Sequence, residues 1–241
     1  MDEQPIQPLL TEVHPHRLQT LPIQQWNIPS KQGNTNIFPI VIVFTIILLL
    51  AGVGVITYLV FKEFNDENYY GAEGEMVPNF SGDAHDNGHW NDFELYDYLN
   101  NNQFILIQFI DTDCPHCWND AESMSDNYAQ FGANGDVMFI TVASGMLATD
   151  HSRAEIVAFQ EKGDFVGCNR DNNCADRSGY VHNWLYVDDL DMQIFNVYNP
   201  PGVPVHLLLS PDGILIWNSA NHDQGDPLHE LSDALSYFVN E

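Results

Sequence analysis

The residues with the clearest capacity for chemistry lie in DTDCPHCWND, Asp111–Asp120. Cys114 and Cys117 stand one helical turn apart, a spacing open to a redox pair, two metal ligands, a haem anchor or a plain structural disulfide. Haem attachment through Cys-x-x-Cys needs a histidine next, and Trp118 occupies that place. A structural zinc site needs four ligands. The other two cysteines, Cys168 and Cys174, lie about fifty residues further on in a Cys-x5-Cys spacing that suits zinc poorly. A structural disulfide stays possible, but the surroundings favour redox exchange.

Those surroundings are a strand, a short turn and a helix that starts at the first cysteine. QFILIQFI, 103–110, is almost wholly apolar and β-prone, as a strand buried on both faces would be. A helix beginning at Cys114 sets its sulfur near unpaired backbone N–H groups, whose partial positive charge favours the thiolate. Only the thiolate attacks a disulfide. Pro115 suits the first helical turn, where its missing N–H costs nothing, and His116 adds positive charge. Cys117, one turn on, faces inward and resolves a mixed disulfide. The spacing therefore predicts an exposed attacking sulfur and a sheltered resolving one. Asp113 opposes this, because a carboxylate pointing inward disfavours the thiolate.

Further elements follow from pattern. NDFELYDYLNN places Phe93, Leu95, Tyr96 and Leu99 at helical spacing. WNDAESMSDNYAQFG reads as a helix ending at Gly132, and DVMFITVAS, 136–144, as a second buried strand. SRAEIVAFQEKG opens with a capping box, Ser152 with Glu155, and stops at Gly163. VPVHLLLSPDGILIWN reads as a hairpin turning at Pro211-Asp212-Gly213. DPLHELSDALSYFVN reads as a closing helix with Asp226 as N-cap and Pro227 at its first position. Helices alternating with buried strands, then a hairpin, predict an α/β fold: a mixed central sheet with helices on both faces.

FILIQFIDTDCPHCW, DVMFITVAS, GVPVHLLLSPDGILIW and the final helix together resemble the thioredoxin-like superfamily over about residues 90–241. The layout is most similar to its membrane-anchored TlpA/ResA-type thiol–disulfide oxidoreductases, whose tail is echoed in VDDLDMQIFNVYNPPGVPVHLLLSPDGILIW. The Pro-His dipeptide and Val203 are like the DsbA-type oxidases. The resemblance implies a cis-proline at Pro204, with Val203 and Pro204 shaping the groove for an extended client segment. It also implies a buried acid six residues before the first cysteine, and there this sequence has Gln108. About 60 residues separate the strands at 136–144 and 205–209, too few for a DsbA-type helical insertion.

Composition sets the wider bounds. The chain has 34 acidic residues against 7 basic ones, which argues against nucleic acid and anionic membrane surfaces as partners. Residues 1–62 hold three acids and three bases, so the remaining 31 acids and 4 bases carry the whole net charge of −27. Such a surface suits a salty medium or simple solubility. Ile37–Phe61 is 25 residues without a charge, against about 20 needed to span a bilayer. We read it as an uncleaved transmembrane helix. Lys31 and Lys62 flank it evenly, and Arg17 tips the balance toward a cytoplasmic N-terminus. The expected organisation is a disordered cytoplasmic tail over 1–36, a single-pass helix in the cell membrane over 37–61, an acidic flexible tether over 62–89, and an extracytoplasmic thioredoxin-like domain over 90–241.

Other candidates have plainer readings. Cys168 and Cys174, in the polar loop GCNRDNNCADRSG, read as a structural disulfide, with a second redox pair or free thiols as alternatives. The loop at 163–185 is the natural place for specific recognition. His85 and His89 read as parts of a solvated spacer, and His206 as a surface-facing strand histidine. His182-Asn183-Trp184 offer part of a substrate rim, but core packing by Trp184 is the plainer reading. Asp188, Asp189 and Asp191 lack EF-hand spacing and read as a solvated face. The expected activity is disulfide exchange with protein thiols and disulfides through Cys114 and Cys117, tuned by Pro115 and His116, with a separate redox partner and neither cofactor nor metal. The alternative is a Cu(I) metallochaperone using the same two soft sulfurs.

Overall fold

The computed structural model describes residues 71–147 and 151–240. The expected tail and membrane segment lie outside them. Among the described residues no helix is long and apolar enough to cross a membrane.

Among the described residues nine strands and four α-helices follow one another: β1 Ser81–Asp86, β2 His89–Glu94, β3 Phe104–Ile110, α1 Pro115–Asn127, β4 Val137–Ser144, α2 Arg153–Glu161, β5 Val166–Cys168, β6 Asn172–Asn173, β7 Leu185–Asp189, α3 Gln193–Tyr198, β8 Val205–Leu209, β9 Leu215–Asn218 and α4 Leu231–Val239. Seven strands form one sheet in the order β2-β1-β7-β4-β3-β8-β9, and β5 and β6 pair separately. β3, β4 and β7 run parallel, while β8 lies antiparallel to β3. The predicted mixed sheet and central apolar strands are present.

Alternation along β3 divides the core. Leu106 and Ile110 face a cluster with Cys117, Ala121, Phe159, Trp217 and Leu235. Ile105, Ile107 and Phe109 face the opposite cluster with Phe80, Phe93, Phe195 and Tyr198. Gln108 therefore points to the α1 side. Register puts it level with Thr141 of β4 and His206 of β8, and Thr141 level with Tyr186 of β7. Four polar side chains thus form a row across the sheet beneath α1.

The expected tether is corrected from residue 71 onward. Residues 74–77 run beside β9, with Gly74 N donating to Leu215 O at 2.8 Å and Leu215 N to Glu75 O at 2.9 Å. β1 pairs with both β2 and β7. Asn87 and Gly88, both at positive φ, form the two-residue turn between β1 and β2, the Asn-Gly hairpin signal that polar composition around it concealed. The helix expected in NDFELYDYLNN is likewise corrected. Phe93 ends in β2, and only Leu95–Tyr98 turn helically, as a 3-10 turn. Pairing with β1 fixes Phe93 in the sheet and overrides the spacing.

Half of the expected capping box is present, with the Ser152 hydroxyl accepting from Glu155 N, while the Glu155 carboxylate turns to Thr112 and His151 instead of back to Ser152. The Pro211–Gly213 turn is present too, with Gly213 at φ +89°. The closing helix starts later than expected, at Leu231 with Glu230 as N-cap. The Leu228 carbonyl accepts from Trp217 Nε1 at 2.8 Å, which takes it out of any helical ladder. The long connection contains β7 and α3, which its mixed polar composition did not reveal.

Candidate active site

β3 delivers the chain to Asp111, whose buried carboxylate organises the turn that follows. Its Oδ1 accepts from Asp113 N at 2.7 Å, and its Oδ2 from Met146 N at 2.9 Å and Leu147 N at 2.7 Å. His151 brings its Nε2 to 3.3 Å from that Oδ2 and its Nδ1 to 3.0 Å from Glu155 Oε1. Thr112 Oγ1 also donates to Glu155. Hydrogen bonds and charge from Asp111 and Glu155 push the His151 imidazole up to about 10. Burial raises the Asp111 carboxyl, but the bonds from His151 and the loop amides leave it below its ordinary value. This buried group was missed in the sequence, where Asp111, His151 and Glu155 form no motif.

The turn sets Cys114 as the extended N-cap of α1, with Pro115 at the first position. Cys114 and Cys117 are both free thiols. The Cys114 thiol is lowered to about 6, first by the hydrogen bond from the Cys117 thiol and, against the cost of burial, by the backbone N–H groups of Cys117 and His116 and the His116 charge. Cys117 goes the other way: burial pushes its thiol far up, and its bond to Cys114 adds to this. The pair is polarised into a ready thiolate and a proton-retaining partner.

Cys114 is only 4% exposed, less open than its spacing suggests, because Val203 lies over it. Its Sγ is 3.5 Å from the Val203 carbonyl, and the Val203–Pro204 bond is cis. Cys114 nonetheless sits shallower in the protein than Cys117. Asp113 does not turn to the sulfur. Its Oδ1 accepts from Arg170 N at 2.7 Å, and Thr112 O accepts from Asn169 N at 2.9 Å. Both bonds reach the β5–β6 hairpin, which Cys168 and Cys174 close as a disulfide. The loop at 163–185, expected to serve recognition, therefore borders the turn that carries Cys114.

The AhpC/TSA family profile matches residues 74–217. The chain belongs to the AhpC/TSA family. No curated protein matches the sequence. Among solved structures, a candidate protein disulfide isomerase from Bacteroides thetaiotaomicron is 14% identical, with a TM-score of 0.51 over 72% of this chain and 94% of its own. A thiol:disulfide interchange protein from a Bacteroides species is 18% identical, with a TM-score of 0.50 over 70% of this chain and 91% of its own. The thioredoxin domain of a thiol-disulfide oxidoreductase from Bacteroides vulgatus is 19% identical, with a TM-score of 0.49 over 70% and 99%. The fold is thioredoxin-like, and it carries a cysteine pair.

Several expectations change in this AhpC/TSA chain. His206 does not face the surface. It is 7% exposed, and its Nε2 lies 2.9 Å from Asp120 Oδ2, because even positions on β8 face α1. Gln108 Nε2 donates to the same Asp120 oxygen at 2.8 Å. His85 is no spacer residue: it is buried, with Nδ1 2.6 Å from Gln160 Oε1. His89 is exposed. Asp189 is buried rather than solvated and caps α3 by accepting from Ile194 N at 2.7 Å and Phe195 N at 2.9 Å. Asp188 pairs with Arg153 at 2.6 Å. His182 stacks on Trp184 at 4.0 Å, and burial holds its imidazole well below 6.5. Trp184 packs in the core as expected.

Proposed function

We propose that this chain is a thiol–disulfide oxidoreductase that exchanges disulfides with protein clients through Cys114 and Cys117. The observation that carries the reading is the polarised pair at the start of α1. In the reducing half-cycle the Cys114 thiolate attacks a client disulfide, and one client sulfur leaves and takes a proton from water. Cys117 then loses its proton and attacks Cys114 Sγ. The second client sulfur leaves, and the Cys114–Cys117 disulfide has formed at the expense of two electrons passed to the client. The oxidising half-cycle is the reverse.

The lowered Cys114 pKa stabilises the dithiol form, which makes the disulfide a better oxidant and favours disulfide donation to clients. Val203, whose carbonyl lies against the Cys114 sulfur, and Pro204 after it form the floor on which a client segment rests. The uncharged run Ile37–Phe61 supports a membrane anchor, and with Arg17 before it, a domain on the outer side.

Equilibration of the full chain in glutathione buffers, followed by tryptophan fluorescence, tests this. A two-electron transition lost in Cys117→Ala is expected, with a potential above about −200 mV for an oxidant. A potential near −270 mV, about that of thioredoxin, turns the direction to reduction. Cys117→Ala traps client mixed disulfides. No transition in the intact pair, with stoichiometric Cu(I) bound instead, replaces the reading with a metallochaperone.

A further inference from the structure

Resolution of a mixed disulfide asks something difficult of Cys117. Its thiol must become a thiolate before it attacks, yet the residue is 1% exposed and meets solvent poorly. A protein group that faces both the thiol and solvent speeds the loss of that proton. Asp120 follows Cys117 by three positions in α1, which puts both on one face of the helix, and that face lies on the polar row of the sheet. Asp120 Oδ2 is fixed from two strands at once, by Gln108 Nε2 of β3 at 2.8 Å and His206 Nε2 of β8 at 2.9 Å. Gln108 is itself oriented by Thr141 Oγ1, which donates to Gln108 Oε1 at 3.0 Å. Trp184 Nε1 donates to Thr141 at 2.9 Å in turn. Both bonds to Asp120 use Oδ2, leaving Oδ1 without a hydrogen bond among the described residues. The Asp120 side chain is 19% exposed, so the carboxylate joins a buried thiol to solvent.

We propose that Asp120 is the proton acceptor for Cys117 during resolution, with His206 as the positioning residue that holds the carboxylate. The inference rests on the thiol–disulfide reading and adds the route of the proton. In the step, Cys117 Sγ–H gives its proton to Asp120, directly or through one water. The sulfur forms its bond to Cys114 Sγ, the Cys114–client S–S bond breaks, and the departing client thiolate is protonated by solvent. Asp120 then releases its proton to water.

Charges around the pair fit this sequence. The titratable groups facing Asp120 are Cys117 on its own helix, His206 from β8 and Tyr186 from β7, with Cys114 one turn beyond Cys117. Burial raises the Asp120 carboxyl, but His206 and Gln108 leave it below its ordinary value, so it is ionised before the step and gives the proton up to water after it. Burial holds the Tyr186 phenol protonated. Burial first, then the bond to Cys114, and the Cys114 and Asp120 charges keep the proton on Cys117 in the reduced enzyme. The bond to Cys114 and the Cys114 charge disappear once Cys114 is tied to a client, and protonation of Asp120 removes its charge as the proton moves, so the thiol becomes easier to ionise at the step that needs it.

Stopped-flow reaction of the reduced full chain with 5,5′-dithiobis(2-nitrobenzoate) separates the events. Attack by Cys114 releases one thionitrobenzoate, and resolution by Cys117 releases the second. Asp120→Asn is expected to leave the first phase within about 2-fold and to slow the second about 100-fold at pH 7, the low end of general acid–base effects. The deficit closes as rising pH lets hydroxide remove the proton, and Asp120→Glu recovers part of the rate. A second phase unchanged in Asp120→Asn across pH overturns the relay while the first phase keeps the redox reading intact. Absence of both phases in the unmodified chain overturns the redox reading itself. Should Asp120→Asn lose the first phase through misfolding, His206→Gln decides on the same trace: a slowed second phase supports the relay, and an unchanged one overturns it.

Discussion

Replacing Cys117 with alanine removes the hydrogen-bond donor that does most to lower the Cys114 thiol. A hydrogen bond to a charged acceptor contributes about 1.5–3 kcal/mol, equivalent to about one to two pH units. The Cys114 midpoint should therefore rise from about 6 to about 7–8. At pH 6.5 the thiolate fraction falls from about 75% to between about 25% and 3%. The N–H groups of Cys117 and His116 and the His116 charge supply the remaining lowering, and the substitution leaves them in place. The assay is the rate of iodoacetamide alkylation of Cys114 between pH 5 and 9, read by intact mass. Intrinsic nucleophilicity rises with pKa, so the midpoint and not the absolute rate carries the comparison. An unshifted midpoint in the variant refutes the thiol–thiolate bond as the main cause. A midpoint near 9 in the unmodified chain refutes activation of Cys114 altogether.

His151→Gln leaves the buried carboxylates of Asp111 and Glu155 without their cation and should cost about 3 kcal/mol or more at pH 6. The folded His151 titrates near 10 against 6.5 unperturbed, so its contribution is complete below 6.5 and fades as pH rises through 10. Urea unfolding at pH 6 and pH 10 should show the larger loss at pH 6; equal losses refute the ion-pair account. Replacing Cys168 and Cys174 together with serine opens a ring of sequence separation 6, which chain entropy values at about 2 kcal/mol. Urea midpoints should fall accordingly, while the glutathione titration keeps its single transition from Cys114 and Cys117. Loss of that transition would make the second pair part of the electron path.

Much of the site is legible in local sequence because its chemistry is local. Cys114, Pro115 and Cys117 sit within one helical turn, and the apolar run before them fixes where β3 ends. A helix beginning at Pro115 must present its amides to the Cys114 sulfur, and the extended apolar runs at 104–110 and 137–144 must be covered on both faces. The Ser152 N-cap and the turn at Gly213 are of the same kind, since each is satisfied by groups within a few residues.

What tertiary structure alone decides comes from register between distant strands. His206, Gln108 and Thr141 become one row because β8, β3 and β4 are level there, and no pattern within any one strand fixes that alignment. Asp120 gains its partners, and His206 its burial, only when α1 lies across the row. The buried Asp111–His151–Glu155 group likewise needs β3 and α2 side by side, and polar letters in isolation read as surface. Local spacing sets Cys114 at the start of a helix and Cys117 one turn on. The packing of α1 on the sheet decides that Asp120 meets Gln108 and His206 on the same helix face.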